Sequence, residues 1–147
     1  RLTKELGWDL LSNIDNHHNF AWKETWKGRD VIVHRKGATP AHDGTLGIIP
    51  GNMTSSAYIV KGKGNEESIN SASHGAGRVL SRRKAFKSLS KSNMKKMLRT
   101  AGVTLIGAGL DESPEVYKDI EKVMSAQKDL VDVMGRFTPV FVRMSDD

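Results

Sequence analysis

The 147-residue sequence has no cysteine, only four prolines and no long apolar run. Without cysteine the chain cannot form a disulfide, a thiolate zinc site or a cysteine nucleophile, so any metal would have histidine or oxygen ligands. No segment approaches the roughly 20 apolar residues that a membrane-spanning helix needs. The charged start of the chain is not that of a signal peptide. We therefore expect a cytoplasmic protein with no membrane partner.

Strand-like and helix-like patterns are mixed without a regular βαβ repeat, which predicts one α+β domain over residues 1–147. Because the chain begins with Arg1 rather than methionine, we also expect it to be part of a longer protein. Strands are expected over 31–35, 57–61, 103–106 and 139–144. Helices are expected over 2–11, 81–99 and 115–134, the last one starting at Ser113-Pro114 and ended by Gly135. Loops are expected over 36–53 and 62–70, with an irregular segment over 71–77.

Acidic residues are missing from the segment 81–99, which carries a charge of +8, whereas the rest of the chain sums to −2. Its apolar residues recur at loose helical spacing and Ser81 is suited to cap the helix, so we expect one helix with a basic exterior. A solvated surface face and a surface that follows the phosphate backbone of RNA are both consistent with this charge.

His74 lies among small residues, in the sequence SHGAGR. Glycine and alanine let backbone amides approach a ligand closely, and such amides next to cations form an anion site. A neutral imidazole at this position could attack phosphorus or act as a general base. A tight turn that caps a helix is the alternative explanation. The other four histidines, taken singly, are more simply explained as structural or exposed, and in an extended strand His17 and His18 would point to opposite sides.

Five segments, in this order and spacing, resemble the RtcB family of GTP-dependent RNA ligases. They are 16–21 (NHHNFA), 33–39 (VHRKGAT), 47–53 (GIIPGNM), 71–82 (SASHGAGRVLSR) and 111–120 (DESPEVYKDI). The stretch that contains HGAGR, together with HRKGAT, is the most specific. The resemblance extends over nearly the whole chain.

The resemblance implies an α+β fold, a mixed sheet with flanking helices, that forms the C-terminal portion of the ligase catalytic domain, with the N-terminal portion absent. It implies joining of RNA 2',3'-cyclic phosphate or 3'-phosphate ends to 5'-hydroxyl ends through a guanylylated histidine, in tRNA splicing or RNA repair. The cofactors implied are GTP and manganese. The partners implied are RNA (tRNA halves or broken ends), the missing N-terminal portion and an archease-like activator.

Roles carry over from the family position by position. His74 matches the histidine that attacks GTP, and His18 matches a manganese ligand. The cations expected to hold RNA or phosphate are Lys36, Arg78 and Arg82. The residues expected to contact the nucleotide are Asn19, Pro50, Gly51, Asn52, Met53, Ala57, Gly75, Ala76, Gly77 and Tyr117.

The chain departs from the family pattern at Asn52 and Ala57, where the family has serines, and at Met144, which lies near the position of a lysine that contacts the nucleotide. The family's other metal-binding motifs lie upstream of this sequence, so we expect the isolated chain to be inactive. Two alternatives to a ligase are a noncatalytic RNA-binding fragment and a degenerate ligase remnant.

Overall fold

The computed structural model describes residues 2–144, of which Leu2 is described by its backbone alone. Within this range the β-strands are β1 (Asn19–Trp26), β2 (Arg29–Lys36), β3 (Ala38–Pro40), β4 (Leu46–Ile49), β5 (Ala57–Gly62), β6 (Ser71–Ser73), β7 (Thr104–Gly107), β8 (Val131–Phe137) and β9 (Phe141–Arg143). The helices are α1 (Leu2–Glu5), α2 (Arg82–Ser88), α3 (Lys91–Thr100) and α4 (Ile120–Ser125), with 3-10 helices at Leu110–Glu112 and Pro114–Val116. The α+β class is confirmed.

The strands form small separate sheets. Strands β1 and β2 make an antiparallel hairpin, β3 pairs antiparallel with β6, β4, β5 and β8 form an antiparallel sheet, and β7 pairs parallel with β9. At the tip of the hairpin Lys27 and Gly28 have positive φ angles of 48° and 72°. This is the type I′ turn that matches the twist of two paired strands.

Two clusters of buried side chains make the core. The first lies between the sheet β4–β5–β8 and α4; its members are Ala41, Ile49, Tyr58, Val60, Ala72, Ala76, Ile120, Met124 and Val131. The second joins α3 to Met53 and Val103. Since Ala72 and Ala76 belong to the first cluster, the segment that carries His74 is fixed against the core at both ends.

Arg35 is an unusual member of the interior because only 2% of its surface is exposed. Its guanidinium forms a bidentate pair with Glu24, with one N–O distance of 2.9 Å, and also donates to the hydroxyl of Ser71 at 2.8 Å and the carbonyl of Ile69 at 2.9 Å. Its hydrogen bonds lower the pKa of the Glu24 carboxyl. Arg35 therefore fastens the β1–β2 hairpin to the segment that precedes β6.

The expected helix over 115–134 is wrong. After the short 3-10 helix Pro114–Val116, an α-helix covers only Ile120–Ser125, and the chain then turns into β8, which pairs with β5. Tertiary contacts override the helical period: the Gln127 side chain accepts a hydrogen bond from the Ser73 amide, and Val131 is buried in the core. Gly135, expected to end the helix, lies inside β8 opposite Ile59.

The expected single helix over 81–99 is also wrong, because it is two helices separated at Leu89 and Ser90. Ser90 is extended, and its hydroxyl accepts from the Asn93 amide at 3.2 Å, which caps α3. Ser81 caps α2 in the same way, through the Lys84 amide. Serine hydroxyls compete with the helical hydrogen-bond pattern, so a serine inside a basic helical sequence starts a new helix.

The smaller expectations have mixed outcomes. Strands are present within or around 31–35, 57–61, 103–106 and 139–144, as predicted. The loop over 36–53 contains β3 and β4, and the irregular segment 71–77 begins with β6, because backbone pairing orders even these small residues. The helix over 2–11 ends at Glu5, and Gly7 follows with a positive φ of 65°. No helix within residues 2–144 is both long and apolar enough to cross a membrane.

We predict that replacing Arg35 with methionine lowers the free energy of unfolding by about 3–5 kcal/mol, because the largely buried Glu24 carboxylate loses its bidentate partner and keeps only His42, 3.5 Å away. Urea unfolding would measure this loss. Arg29→Met, at an exposed position of the same strand, is the matched control and should cost less than about 0.5 kcal/mol. The Glu24→Gln, Arg35→Met double variant should recover part of the loss. A cost for Arg35→Met as small as that of the control would contradict the role of Arg35.

Candidate active site

His74 directly follows β6, and one of its two ring nitrogens is engaged in a hydrogen bond. Its Nδ1 lies 2.7 Å from the carbonyl oxygen of Gly37. A carbonyl oxygen only accepts hydrogen bonds, so Nδ1 carries the proton. In the neutral ring the other nitrogen, Nε2, then has a free lone pair. This tautomer leaves Nε2 as the nucleophile or base.

His18 lies against His74, with ring centroids 5.0 Å apart and ring planes 19° from parallel. Gly37 connects the two, because its amide donates to the His18 carbonyl at 2.9 Å while its own carbonyl accepts from His74. Gly37 has a positive φ of 74°, which glycine adopts without strain. The turn between β2 and β3 thus holds the backbone of His18 and the ring of His74.

The other histidines lie apart from this pair. His17 contacts Asp15 at 3.8 Å and the ring of Phe20, so neighbouring His17 and His18 have different partners. His42 approaches Glu24 at 3.5 Å. Of the five histidines, His18 and His74 are the two that the described structure stacks together.

The described residues do not complete a metal site. Within residues 2–144, no three histidine, cysteine, aspartate or glutamate side chains come close enough together to hold a metal ion. His18 could supply one imidazole, as the sequence predicts, but a transition metal takes at least three protein ligands. The manganese role of His18 stays a prediction.

A cavity of about 210 Å³ brings together five of the residues predicted to contact a nucleotide. These are Pro50, Gly51, Asn52, Met53 and Ala57. The remaining lining residues are Ile48, Ser55, Phe137, Pro139, Val142 and Met144. No site role is predicted from the sequence for Phe137, Pro139 or Val142. Phe137 is the last residue of β8, whose first half falls within the helix wrongly expected over 115–134. The alternating valines Val131 and Val133 are the sequence signal that would have predicted this strand.

The cavity adjoins the His74 segment through close backbone contacts. The Ala76 amide donates to the Pro50 carbonyl at 2.9 Å. A Cβ atom at Gly75 would lie 3.1 Å from that same carbonyl, and one at Gly51 would lie 2.3 Å from the Ser55 hydroxyl. Larger side chains at these two glycines would displace the cavity wall. Gly77, two residues further on, has a positive φ of 73°.

Asn52 is engaged in a local turn. Its side-chain oxygen accepts from the amide and the hydroxyl of Thr54 at 2.9 and 3.0 Å, and its backbone amide donates to the Ser55 hydroxyl at 2.8 Å. Asn52 therefore shapes the rim of the cavity through the backbone of 52–55.

Arg78 and Tyr117 belong to a neighbouring polar cluster. The Arg78 guanidinium donates to the Asp111 carbonyl at 2.6 Å and to the Glu112 carboxylate at 3.3 Å, and the Tyr117 hydroxyl donates to the same carboxylate. Burial, and then this hydrogen bond, raises the pKa of Tyr117 to about 12. The cluster anchors the segment after His74. The Arg78 guanidinium is hydrogen-bonded within this cluster, and its predicted role in holding phosphate stays a prediction.

The remaining predicted cations differ in their surroundings. Lys36 is exposed and lies opposite Asn19 at the open end of the β1–β2 hairpin. Lys36 directly precedes Gly37, and Asn19 directly follows His18. Arg82 is 61% exposed, and its Nε lies 3.5 Å from the buried Asp111 carboxylate. Both side chains face solvent near ends of elements that carry the site.

Comparison with known proteins gives one consistent result. The family described as "tRNA-splicing ligase RtcB" matches residues 2–145. The chain is 46% identical over 124 residues to the RNA-splicing ligase RtcB of Escherichia coli, which covers 84% of the chain and 30% of that protein. It is 37% identical over 161 residues to the tRNA-splicing ligase RtcB of Nanoarchaeum equitans, covering 94% and 33%. The chain thus spans about a third of the length of the curated relatives it matches.

The contact with Gly37 predicts the tautomer of His74. In the neutral ring the proton should be on Nδ1 and not on Nε2, which is the more common site in free histidine. Long-range nitrogen–proton NMR correlations distinguish the two forms. His17, for which residues 2–144 supply no such carbonyl partner, is the internal control. An Nε2-protonated His74 would contradict the assignment of Nε2 as the nucleophile.

The raised pKa of Tyr117 predicts a loss of stability at alkaline pH. Between pH 10, where an unfolded tyrosine ionises, and about 12, where Tyr117 ionises in the fold, the unfolded state binds fewer protons, so stability falls as pH rises. Tyr117→Phe should weaken this dependence, and Glu112→Gln should lower the pKa of Tyr117. Tyrosinate absorbance in a Tyr58→Phe background isolates the signal, since the chain has only two tyrosines. An ordinary pKa for Tyr117 in that background would contradict the cluster.

Proposed function

The chain belongs to the RtcB family, and from that premise we propose that it is the C-terminal portion of a GTP- and manganese-dependent RNA ligase. The ligase joins RNA 2',3'-cyclic phosphate or 3'-phosphate ends to 5'-hydroxyl ends, in tRNA splicing or RNA repair. The observation that carries the proposal is the His74 ring, which is held by Gly37 at Nδ1 and has its Nε2 nitrogen available next to the cavity segment. The names of the relatives support an RNA ligase.

In the first step His74 acts as the nucleophile. The Nε2 lone pair attacks the α-phosphorus of GTP, a phosphorus–nitrogen bond forms, and the bond to the bridging oxygen breaks so that pyrophosphate leaves. The Nδ1–H stays bonded to the Gly37 carbonyl, which stabilises the positive charge that the ring gains. The close packing of Gly75 against Pro50 allows the backbone to approach the nucleotide.

Two further transfers complete the reaction. An oxygen of the RNA 3'-phosphate attacks the phosphorus on His74, and Nε2 leaves with its electron pair, which transfers GMP to the RNA end. The 5'-hydroxyl of the second RNA then attacks the 3'-phosphorus, loses its proton and displaces GMP. A 2',3'-cyclic phosphate end enters after water opens it to a 3'-phosphate. His74 returns to its starting form.

The cations of the site hold the phosphates. Lys36 and Arg82, both exposed, are suited to neutralise the RNA and nucleotide phosphates, and Asn19 lies next to Lys36. Arg78 would act chiefly by anchoring the backbone after Gly77. The cavity lined by 50–53 and Ala57 is the proposed nucleotide pocket.

Manganese fits this chain only in part. His18 would supply one ligand beside His74, and bound manganese would polarise phosphate oxygens in these transfers. Because no group of three ligands exists within residues 2–144, we propose that the other ligands come from the preceding portion of the ligase. The same reasoning predicts that the isolated chain binds manganese and GTP poorly.

The test is covalent labelling with GTP that is radiolabelled at the α-phosphate, in the complete ligase with manganese. His74→Ala should abolish labelling and RNA joining, and His18→Ala should reduce labelling and weaken manganese binding. His17→Ala, one residue away but facing other partners, is the matched control and should retain labelling. The isolated chain should stay unlabelled until the N-terminal portion is added.

Normal labelling of the His74→Ala ligase would remove the assignment of the nucleophile. A complete chain that binds RNA but is not labelled under any condition would favour the noncatalytic RNA-binding alternative.

A further inference from the structure

The helices α2 and α3 carry a dense group of cations outside the site described above. All eight basic residues between Ser81 and Arg99 are exposed. Apart from Arg82, which lies near Asp111, none has a carboxylate within 4.0 Å in the described part of the chain. Like charges placed this close destabilise a protein unless a partner of opposite charge covers them. The group therefore needs an explanation outside the fold.

Three of these cations form a regular row along α3. Lys91, Lys95 and Arg99 follow one another at intervals of four residues and lie on the same side of the helix. We call these three residues the basic strip. Successive members are separated by a rise of about 6 Å along the helix axis. The strip is thus a linear array of positive charge rather than a single pocket.

A groove runs beside the strip. Lys95 and Arg99 line it together with the apolar Leu98, Val103 and Leu105, and its volume is about 310 Å³. Cations at the rim and apolar side chains on the floor suit a single-stranded nucleic acid, whose phosphates are charged and whose bases are flat and apolar. An acidic protein segment would not need the apolar floor.

We propose that the basic strip binds the phosphate backbone of single-stranded RNA outside the reacting end. The choice of RNA rests on the proposed function, whereas the strip and the groove are features of the chain itself. The strip lies near the proposed nucleotide cavity, because Leu98 of α3 and Met53 of the cavity wall pack in the same core cluster. RNA whose reacting end is held at the site would reach the strip with a part of the strand away from that end.

The experiment measures binding of a single-stranded RNA to the full chain over a range of salt concentrations, in EDTA and without GTP. The Lys91→Gln, Lys95→Gln, Arg99→Gln variant should reduce the slope of log K against log salt by about 2, since each phosphate contact to a single strand contributes about 0.7. At 0.1 M salt the variant should bind about 100-fold more weakly, and at 1 M salt the two should bind alike.

The matched control is the Lys23→Gln, Lys122→Gln, Lys128→Gln variant, which loses the same charge at exposed positions on other elements. It should keep the slope of the unmodified chain. A slope that both triple variants reduce equally would overturn the proposal, because net charge alone would then explain binding. An unchanged slope in the strip variant would also overturn it and would assign the strip to another anionic partner, such as an acidic protein.

The strip variants are compared only after circular dichroism and thermal unfolding show that they retain the fold of the unmodified chain. Because α3 is packed through Met94 and Leu98, and the replaced side chains are exposed, no loss of folding is expected. If GTP does not label His74 while the strip variant still reduces the salt slope of RNA binding, the proposed ligase function is refuted and the role of the strip is supported. If the ligase is active but the strip variant binds RNA as tightly as the unmodified chain, only this inference is refuted.

Discussion

The backbone amide and carbonyl of Gly37 connect the two histidines of the site. Its amide holds the backbone of His18 and its carbonyl holds the ring of His74. The left-handed φ of 74° lets one residue serve both partners at the corner between β2 and β3. A side chain there would cost about 1–2 kcal/mol in backbone energy and would place a Cβ 3.7 Å from the His74 ring. The chemistry of the ring is therefore set by the geometry of a turn.

Rigid anchors around that turn explain why small sheets suffice to hold it. Arg35 ties the hairpin before Gly37 to the segment before β6, while the Arg78–Glu112–Tyr117 cluster ties down the chain after His74. Both anchors are charge-assisted hydrogen bonds in partly or wholly buried surroundings, where they are stronger than on the surface. The site lies between them, so its backbone is fixed on both sides without a large continuous sheet.

Local patterns in the sequence predicted the class of fold and four of the nine described strands. The family resemblance, rather than local pattern, pointed to the segment that lines the cavity. Val31–Val33 and Ala57–Val60 alternate or cluster apolar residues as strands do, and Pro50 and Gly51 mark the cavity turn. Local pattern failed at 115–134, where an apolar period suited to a helix belongs partly to β8 and is decided by pairing with β5. It also missed that Arg35 is buried, because its partner Glu24 lies across a hairpin.

The arginines show why a count of charges is a poor guide to partners. Arg35 and Arg78 are bound to carboxylates and carbonyls within the chain, so they act as structural cross-links and contribute little to an outer field. Lys91, Lys95 and Arg99 have no such partners among residues 2–144, and their field extends into solvent. The net charge of +6 counts paired and unpaired cations alike. Cations without an internal carboxylate indicate where an anionic partner would bind, and their densest group in the described residues lies on α2 and α3.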